Sequence, residues 1–237
     1  MPQNVLITGA NRGIGLALTE EYLKRGDKVF ATCRRPDAAE KLKELQASHA
    51  GRLFVERMDV TRDESVSSAA QRVWAEADKL DVLINNAGIF PEPKPYTHLN
   101  ELEVQDLRDA FETNVVGVFR VTRALLPLLE KGSPGRVANI TSGVACMSTK
   151  NTPEYYAYGT SKAALNYASR ALAAELKDHG IVVIVINPGW VKTDMGGPDA
   201  ELQPAQSAHG IVETIAKLDC EDNGLWFNWN GEKQRQW

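Results

Sequence analysis

Short runs of apolar, mostly β-branched residues alternate along this chain with longer amphipathic stretches. Each run predicts a β-strand, and the runs are NVLIT, KVFATC, LFVERM, DVLIN, RVANIT, IVVIVI and, more weakly, GLWFN. The runs are apolar at consecutive positions, as strands of a parallel sheet are when helices cover both faces. The pattern therefore predicts an α/β fold with a doubly wound parallel sheet of about seven strands and helices on both faces.

The amphipathic stretches between the runs predict the helices. They cover about 13–25, 37–48, a segment that follows Thr61, 101–130 and 155–179. Gly26 and Gly180 stand where helix C-caps favour glycine, and Thr61 with Glu64 forms a capping-box pattern. No linker or low-complexity tract divides the sequence. We therefore expect residues 1–237 to form one domain.

Three segments near the expected carboxyl ends of strands predict substrate loops. They are 90–99, which holds three prolines, 145–154, and 195–204, which is rich in glycine and proline. Ligands of doubly wound sheets bind beside the carboxyl ends of the strands. We therefore expect these loops to form the walls of a substrate pocket.

Charge and cysteine usage exclude several classes of protein. The net charge of −4 provides no basic field for nucleic acid or for an anionic membrane. The cysteines, Cys33, Cys146 and Cys220, form neither a disulfide framework nor a metal motif. The N-terminal stretch lacks the features of a signal peptide, and IVVIVI is too short to cross a bilayer. We expect a cytoplasmic protein without a metal, a nucleic-acid partner or a membrane partner.

The stretch LITGANRGIG places Gly9, Gly13 and Gly15 between the first predicted strand and the first predicted helix. Glycine permits a tight turn and a close approach to a pyrophosphate, which the N–H groups of the helix N-terminus then bind. Glycine-rich turns without a ligand also occur. The first βα unit, however, is where doubly wound folds bind a dinucleotide, so the stretch predicts such a site.

The spacing TGxxxGxG in this turn resembles the nucleotide fingerprint of the short-chain dehydrogenases/reductases. Further matches are MDV after the third strand, NNAG after the fourth and PGxxxT after the sixth. The resemblance implies a Rossmann-type domain. It also implies cofactor contacts at Gly9, Asn11, Arg12, Gly13, Ile14, Gly15, Arg34, Asp59, Val60, Asn86, Ala87, Gly88, Tyr158, Lys162, Pro188, Gly189, Val191 and Thr193.

Individual roles also follow from the resemblance. It implies that Asp59 and Val60 lie along the adenine and that Thr193 reaches the nicotinamide carboxamide. For NNAG, Asn85–Gly88, two roles stay open, because the motif either stabilises the sheet or passes beside the cofactor ribose.

The end of the second predicted strand favours NADP(H) over NAD(H). A carboxylate there bonds the ribose 2′-OH, whereas a nearby arginine accommodates a 2′-phosphate. The sequence has Cys33 at the acid position, followed by Arg34 and Arg35, and Arg12 lies in the glycine turn. Because guanidinium groups bind phosphate through a fork of donors, we expect Arg12 and Arg34 on the 2′-phosphate. Solvated turn arginines are the open alternative.

The stretch EYYAYGTSKAALN contains Tyr155, Tyr156 and Tyr158, and only Tyr158 has a lysine, Lys162, four positions further on. On a helix this spacing puts both side chains on one face. A nearby ammonium stabilises a phenolate, so we expect Lys162, together with a bound nicotinamide, to lower the pKa of Tyr158 from about 10. The pattern YxxxK arises often by chance. The family resemblance implies that Tyr158 is the general acid/base.

The resemblance implies two further catalytic residues. Ser142, after the fifth strand, would donate a hydrogen bond to a substrate carbonyl, and it is preferred to its neighbour Thr141 because the second position carries this role. Asn114 would hold a water that links Lys162 to solvent, with a buried side-chain hydrogen bond as the open alternative. The implied reaction is hydride transfer from NADPH to an aldehyde, ketone or quinone.

The C-terminal stretch AHGIVETIAKLDCEDNGLWFNWNGEKQRQW resembles the C-factor/sniffer-type carbonyl reductases within this family. Some members of that group are implicated in signalling, so a non-catalytic NADP(H)-binding regulator is an alternative function. Such a regulator would be expected to lose Ser142 or the Tyr–Lys pair, and this sequence keeps them. An epimerase or dehydratase would need a larger C-terminal domain than follows Thr193. The resemblance also implies a homodimer or homotetramer formed through the two long helices.

Overall fold

The strands form one parallel sheet in a computed structural model that describes residues 2–92 and 98–237. They are β1 (Asn4–Thr8), β2 (Lys28–Cys33), β3 (Leu53–Arg57), β4 (Val82–Asn85), β5 (Gly135–Ile140), β6 (Ile181–Asn187) and β7 (Trp226–Asn228). The seven strands lie in the order β3-β2-β1-β4-β5-β6-β7, and every neighbouring pair is parallel. This arrangement confirms the predicted fold class.

Helices cover both faces of the sheet. They are α1 (Gly13–Lys24), α2 (Glu40–Ser48), α3 (Asp63–Glu76), α4 (Val104–Phe111), α5 (Gly117–Leu129), α6 (Tyr156–Leu176) and α7 (Pro204–Ala216). On β1, Val5 and Ile7 pack into the core under α1 and α7, whereas Leu6 packs into the core under α3 and α5. This alternation is typical of a strand that is buried on both faces. Among the described residues, no helix has the length and apolar character that crossing a bilayer requires.

The predicted helices differ from the structure in detail. α2 begins at Glu40, because Pro36–Ala38 forms a separate 3₁₀ turn. The stretch 101–130 contains α4, a π-helical segment at Glu112–Val116 and α5. α6 is followed by a 3₁₀ turn at Lys177–His179. Of the predicted loop 90–99, residues 93–97 lie outside the described part of the chain.

The capping box predicted for α3 is wrong. The helix begins at Asp63, and no side chain caps it. The hydroxyl of Thr61 instead donates to Oδ1 of Asp59 at 2.7 Å, and the N–H of Thr61 donates to the same oxygen at 3.1 Å. Aspartate forms such local hydrogen bonds in competition with helix caps. Asp59 therefore holds Thr61 in a turn before the helix begins.

A buried chain of polar side chains fixes β4, β5 and α6 relative to one another. Nδ2 of Asn85 donates to Oδ1 of Asn139 at 2.8 Å, and Nδ2 of Asn139 donates to the hydroxyl of Ser169 at 2.9 Å. All three residues are buried, so loss of either hydrogen bond would leave an unsatisfied polar group. Asn85, the first residue of NNAG, thus stabilises the sheet.

The strand order creates a crevice beside β1 and β4. The chain proceeds outward from β1 to β3 on one side and from β4 to β7 on the other. The connections therefore diverge at these two central strands, and their carboxyl ends leave an opening. Ligands of doubly wound sheets bind at this kind of switch point.

Candidate active site

One cleft of about 540 Å³ lies at the carboxyl ends of the strands, a volume within the roughly 300–1,000 Å³ of small-molecule sites. It extends from the turn after β1 to the turn after β6. All the predicted cofactor contacts line it, together with the predicted catalytic residues Ser142, Tyr158 and Lys162. The fourth catalytic candidate, Asn114, is fully buried behind the cleft wall.

The turn between Gly9 and Gly15 is pressed against the loop after β4. Gly9 has a φ of 65°, and a Cβ at this position would lie 2.9 Å from Cα of Ala87. A Cβ on Gly15 would lie 2.3 Å from the carbonyl oxygen of Gly9. The side chain of Asn86 donates to the carbonyl oxygens of Thr8 and Gly9. These contacts require glycine at both positions and leave bare backbone at the cleft surface.

The N-terminus of α1 opens into the same end of the cleft. The helix has no side-chain cap and no acidic residue in its first turn, so its first N–H groups and its positive dipole end are available to an anion. Arg12, the residue before the helix, also lines the cleft. Its guanidinium is ion-paired with the carboxylate of Asp194 on the opposite wall, and both side chains are exposed.

A thiol and a guanidinium stand at the end of β2. Cys33 is buried, and burial raises the pKa of its thiol, so the thiol is neutral at neutral pH. Arg34 is exposed and lines the cleft, whereas Arg35 is exposed but does not line it. Partial burial tends to raise the pKa of Asp59, but hydrogen bonds with Thr61 and the charge of Arg34 lower it overall. The end of β2 therefore presents positive charge to the cleft.

Ser142, Tyr158 and Lys162 meet at the other end of the cleft. Nζ of Lys162 lies 5.8 Å from the centre of the Tyr158 ring and donates to the carbonyl oxygen of Ile140 at 2.7 Å. The side chain of Ser142, just past β5, makes a polar contact with the phenol of Tyr158. This cluster joins an acid–base candidate, a hydroxyl donor and a cation.

Lys162 by itself does not lower the pKa of Tyr158, contrary to expectation, and the effect of a bound nicotinamide stays a prediction. Burial raises the pKa of Tyr158 to about 12, and the contact with Ser142 opposes this effect only in part. Burial also lowers the pKa of Lys162 to about 8. Burial thus shifts the pKa of each group towards its neutral form, so that Tyr158 is neutral at neutral pH whereas Lys162 remains mostly charged.

The two neighbouring hydroxyls after β5 have different surroundings. The hydroxyl of Thr141 is buried and donates to Oδ1 of Asn166 at 2.6 Å. The hydroxyl of Ser142 accepts a long hydrogen bond from the N–H of Val144 at 3.4 Å and faces Tyr158. This geometry favours Ser142 over Thr141 as a donor to a substrate oxygen.

The glycine turn, the β4 loop and the Ser–Tyr–Lys cluster occur in the order typical of one enzyme family. The profile of that family, described as short chain dehydrogenase, matches residues 3–203. This chain belongs to the short-chain dehydrogenase family.

One relative resembles this dehydrogenase over nearly its whole length and another over part of it. The oxidoreductase C663.08c of Schizosaccharomyces pombe is 36% identical over 95% of this chain and 94% of its own. C-signal of Myxococcus xanthus is 40% identical over 64% of this chain and 90% of its own. This dehydrogenase is thus an oxidoreductase by family.

Solved structures of the family agree with the fold of this dehydrogenase. Carbonyl reductase Sniffer of D. melanogaster superposes with a TM-score of 0.93 at 32% identity, over 98% of this chain and 99% of its own. A carbonyl reductase from chicken fatty liver, solved with NADPH bound, has a TM-score of 0.89 at 30% identity over 98% of each chain. With C-signal, these neighbours confirm the predicted resemblance to the C-factor/sniffer-type carbonyl reductases.

Asn114 of this dehydrogenase ties the β4 loop to α6. Its Oδ1 accepts from the N–H of Ile89 at 2.9 Å, and its Nδ2 donates to the carbonyl oxygen of Ile89 and to the hydroxyl of Ser161, each at 3.0 Å. This is the side-chain arrangement that the sequence left open as an alternative. Asn114 lies in the π-helical segment Glu112–Val116, and such segments often mark functional sites. The role of Asn114 in a water relay stays a prediction.

The turn after β6 carries the PGxxxT match of this dehydrogenase. The hydroxyl of Ser207 donates to the carbonyl oxygen of Pro188 at 2.7 Å, which fixes the turn against α7. The hydroxyl of Thr193 accepts from the N–H of Gly196 at 3.1 Å and donates to the carbonyl oxygen of Val191 at 3.4 Å. Thr193 therefore stabilises the cleft wall, and its contact with a carboxamide stays a prediction.

Phe90 and Glu92 belong to the site but were not predicted individually. The ring of Phe90 packs edge-on against Tyr158, with 5.2 Å between ring centres. Glu92 is buried, and its carboxylate accepts from the N–H of Ala157 at 2.7 Å. Both residues reach α6 from the loop after β4, across a long sequence separation that no spacing motif marks. The sequence signal was limited to an acid between two prolines in a proline-rich loop.

Proposed function

We propose that this dehydrogenase is an NADPH-dependent carbonyl reductase that converts an aldehyde, a ketone or a quinone to the alcohol. One observation carries the proposal: a single cleft joins the turn between Gly9 and Gly15 to Ser142, Tyr158 and Lys162. The first end offers an anion site at a helix N-terminus, and the second offers an acid–base pair. A nicotinamide-dependent reductase needs both within one cleft.

The residues around the glycine turn fit a dinucleotide phosphate. The bare backbone at Gly9 and Gly15 and the uncapped N-terminus of α1 would bind the pyrophosphate. Arg34 and, after release from Asp194, Arg12 would bind the 2′-phosphate. These features support NADP(H) over NAD(H), because no carboxylate follows β2 at the acid position to repel that phosphate.

The remaining contacts would orient the rest of the cofactor. Asp59 and Val60 would lie along the adenine, and Thr193 would approach the carboxamide, as all three line the cleft. Lys162 would also hold the ribose of the nicotinamide half. When bound, NADPH supplies the hydride that the carbonyl carbon accepts.

Tyr158 would protonate the carbonyl oxygen. Since burial raises the pKa of Tyr158 to about 12, the phenol is protonated throughout the neutral range and acts as an acid. A developing alkoxide is a stronger base than a phenolate, so the proton passes to the substrate oxygen. The hydroxyl of Ser142 would donate a second hydrogen bond to this oxygen and polarise the carbonyl. At neutral pH the phenol is thus in the protonated form that reduction of a carbonyl requires.

Lys162 would stabilise the phenolate that remains after proton transfer. With a pKa of about 8, Lys162 is mostly charged at neutral pH. Its ammonium lies on the same side of α6 as the phenol. A water held near Asn114 would return a proton to Tyr158 by way of Lys162.

Aromatic and apolar side chains surround the substrate end of the cleft. They are Phe90, Val144, Tyr155, Trp190 and Met195. Trp190 and Met195 are about half exposed, so a bound substrate would cover apolar surface. We therefore expect apolar carbonyl compounds to react faster than charged ones.

NADPH consumption tests this function. The purified protein is mixed with NADPH and a panel of aldehydes, ketones and quinones of differing charge, and the nicotinamide absorbance is followed, with NADH in parallel. We expect turnover of apolar carbonyls with NADPH preferred. Binding of NADPH without turnover of any compound class would contradict the proposal and favour a non-catalytic regulator.

We also propose a homodimer or homotetramer. The long helices expose large apolar side chains, with Val116 at 39%, Phe119 at 42% and Tyr167 at 81%. Burial of these side chains against a second copy would be favourable. Light scattering of the purified protein tests this, and a monomeric mass would contradict it.

A further inference from the structure

The catalytic helix α6 begins without a local cap. Tyr155, the residue before the helix, has a φ of 61° and makes no side-chain cap hydrogen bond. A left-handed conformation is unfavourable for a bulky residue and persists where surrounding contacts impose it. The first N–H groups of a helix have no partner within the helix. Tyr158 lies in this first turn, so its position depends on what satisfies those groups.

Glu92 supplies the missing cap from another element. Its carboxylate accepts a hydrogen bond from the N–H of Ala157 at 2.7 Å, and the residue is 2% exposed. A buried carboxylate is unfavourable unless it is hydrogen-bonded, whereas a helix N-terminus stabilises negative charge. Because Ala157 directly precedes Tyr158, the hydrogen bond anchors the backbone that carries the phenol.

The loop that carries Glu92 also contacts the tyrosine rings. Phe90 packs against Tyr158 and Tyr155, with ring centres 5.2 and 6.0 Å apart. Asn114 holds the neighbouring Ile89 by two hydrogen bonds to its backbone. Asn114 thus fixes one side of the loop after β4. The other side of the loop contacts the first turn of α6 through the ring of Phe90 and the carboxylate of Glu92.

Glu92 also acts on Tyr158 through its charge. Burial is the largest cause of the raised pKa of Tyr158 and the contact with Ser142 opposes it, while the charge of Glu92 raises it further. Burial raises the pKa of Glu92 itself, and the N–H groups of Ala157 and Tyr158 oppose this. In the described part of the chain, Asp106 on α4 is the other charged group that acts on Glu92, and it too raises the pKa of Glu92.

We propose that Glu92 is a positioning residue for proton transfer: its carboxylate anchors the first turn of α6 to the β4 loop, orients the phenol of Tyr158 towards Ser142 and disfavours a second negative charge beside it. The inference rests on the proposed function, in which Tyr158 is the acid. It adds a residue outside the Ser–Tyr–Lys set that controls both the geometry and the charge of that acid.

Two substitutions separate the hydrogen bond from the charge. Glu92→Gln keeps an oxygen that can accept from Ala157 and removes the charge, whereas Glu92→Ala removes both. Glu103→Gln is the matched control, because Glu103 is an exposed glutamate at the N-terminus of α4 that makes no cap hydrogen bond. Tyr158→Phe is measured in parallel. Thermal unfolding and NADPH binding establish that each variant is folded.

The readouts are reduction of 4-nitrobenzaldehyde, or of the fastest compound in the panel, by NADPH and oxidation of the corresponding alcohol by NADP⁺. We expect Glu92→Ala to lower kcat of reduction by about tenfold or more without changing Kd for NADPH, because the acid is misplaced. Glu92→Gln should restore most of this kcat. Its profile for alcohol oxidation, which needs the phenolate, should move to lower pH by on the order of one unit, because a negative charge is lost.

Two results would overturn this inference alone. One is an unchanged kcat in Glu92→Ala while Tyr158→Phe is inactive. The other is a Glu92→Gln profile that is unshifted, or shifted no more than that of Glu103→Gln. If Glu92→Ala does not fold, the Glu92→Gln profile decides. Activity retained in Tyr158→Phe would instead overturn the role of Tyr158 as the acid, and absence of turnover in the wild type would overturn the proposed function.

Discussion

The guanidinium of Arg12 is ion-paired with the carboxylate of Asp194 across the mouth of the cleft. Arg12 belongs to the turn after β1 and Asp194 to the loop after β6, so the pair joins the two walls that a dinucleotide would contact. A 2′-phosphate would compete with Asp194 for the guanidinium. We therefore expect binding of NADPH to open this ion pair.

Asp194→Asn should tighten NADPH binding, because it releases Arg12 and removes a negative charge near the phosphate. Since exposed ion pairs are weak, we expect a decrease in Kd of up to about fivefold. Asp199→Asn is the matched control, because Asp199 is an exposed aspartate of the same loop. Fluorescence titration with NADPH measures both variants. Weaker binding by Asp194→Asn, or an equal change in Asp199→Asn, would contradict the exchange.

Arg34→Asp should reverse the cofactor preference. The substitution removes a charge-assisted hydrogen bond to the 2′-phosphate, so the ratio of kcat/KM for NADPH over NADH should fall by about 10- to 100-fold. Arg35→Asp makes the same charge change at an exposed position that does not line the cleft, and it should change the ratio little. A wild-type preference for NADH would contradict the assignment of Arg34.

Ser142→Ala should lower kcat by about 10²-fold, as expected for loss of a donor to a developing oxyanion. The neighbouring Thr141→Val should instead lower stability by about 1–3 kcal/mol, because it leaves the buried acceptor of Asn166 unsatisfied. Steady-state kinetics and urea unfolding separate the two effects. If Thr141→Val lost turnover and Ser142→Ala kept it, the roles of the two hydroxyls would be exchanged.

The rate of reduction should fall as pH rises through about 8, the pKa to which burial lowers Lys162. Below this pH Lys162 is charged and stabilises the phenolate that forms on Tyr158, and above it this support is lost. Tyr158 itself stays protonated, because its pKa is about 12. The pH profile of kcat/KM measures this basic limb. In Lys162→Arg the cation persists to higher pH, so a limb that stays near its original pH would contradict the assignment.

The fold was predictable because its main signal is local. The apolar, β-branched runs arise because the strands are buried on both faces, and the runs matched the strands of the sheet closely. The amphipathic stretches arise because each helix has one buried face. The capping box at Thr61 and Glu64 failed because Asp59, two residues earlier, is a stronger partner for Thr61. The order of residue types does not show whether the Thr61 hydroxyl bonds the helix N-terminus or the nearby carboxylate of Asp59.

Within the site, motifs whose residues are close in sequence were the easiest to predict. The residues from Gly9 to Gly15 lie in a single turn and the helix start that follows it, and Tyr158 and Lys162 lie on one face of one helix. Their place in the cleft could therefore be predicted from local spacing. The direction of the Tyr158 pKa shift was not predictable, because it depends on burial. Glu92 was missed because its partner, Ala157, belongs to a distant element.

The turnover of Tyr158→Phe tests the central claim most directly. Tyr156→Phe is the matched control, because it removes the same atom from a tyrosine of the same helix turn that does not line the cleft. With NADPH and the best carbonyl substrate, we expect Tyr158→Phe to lose about 10²- to 10⁴-fold in kcat, the contribution typical of a general acid, and Tyr156→Phe to stay near wild type. Turnover near wild type in a folded Tyr158→Phe variant that binds NADPH would contradict the account.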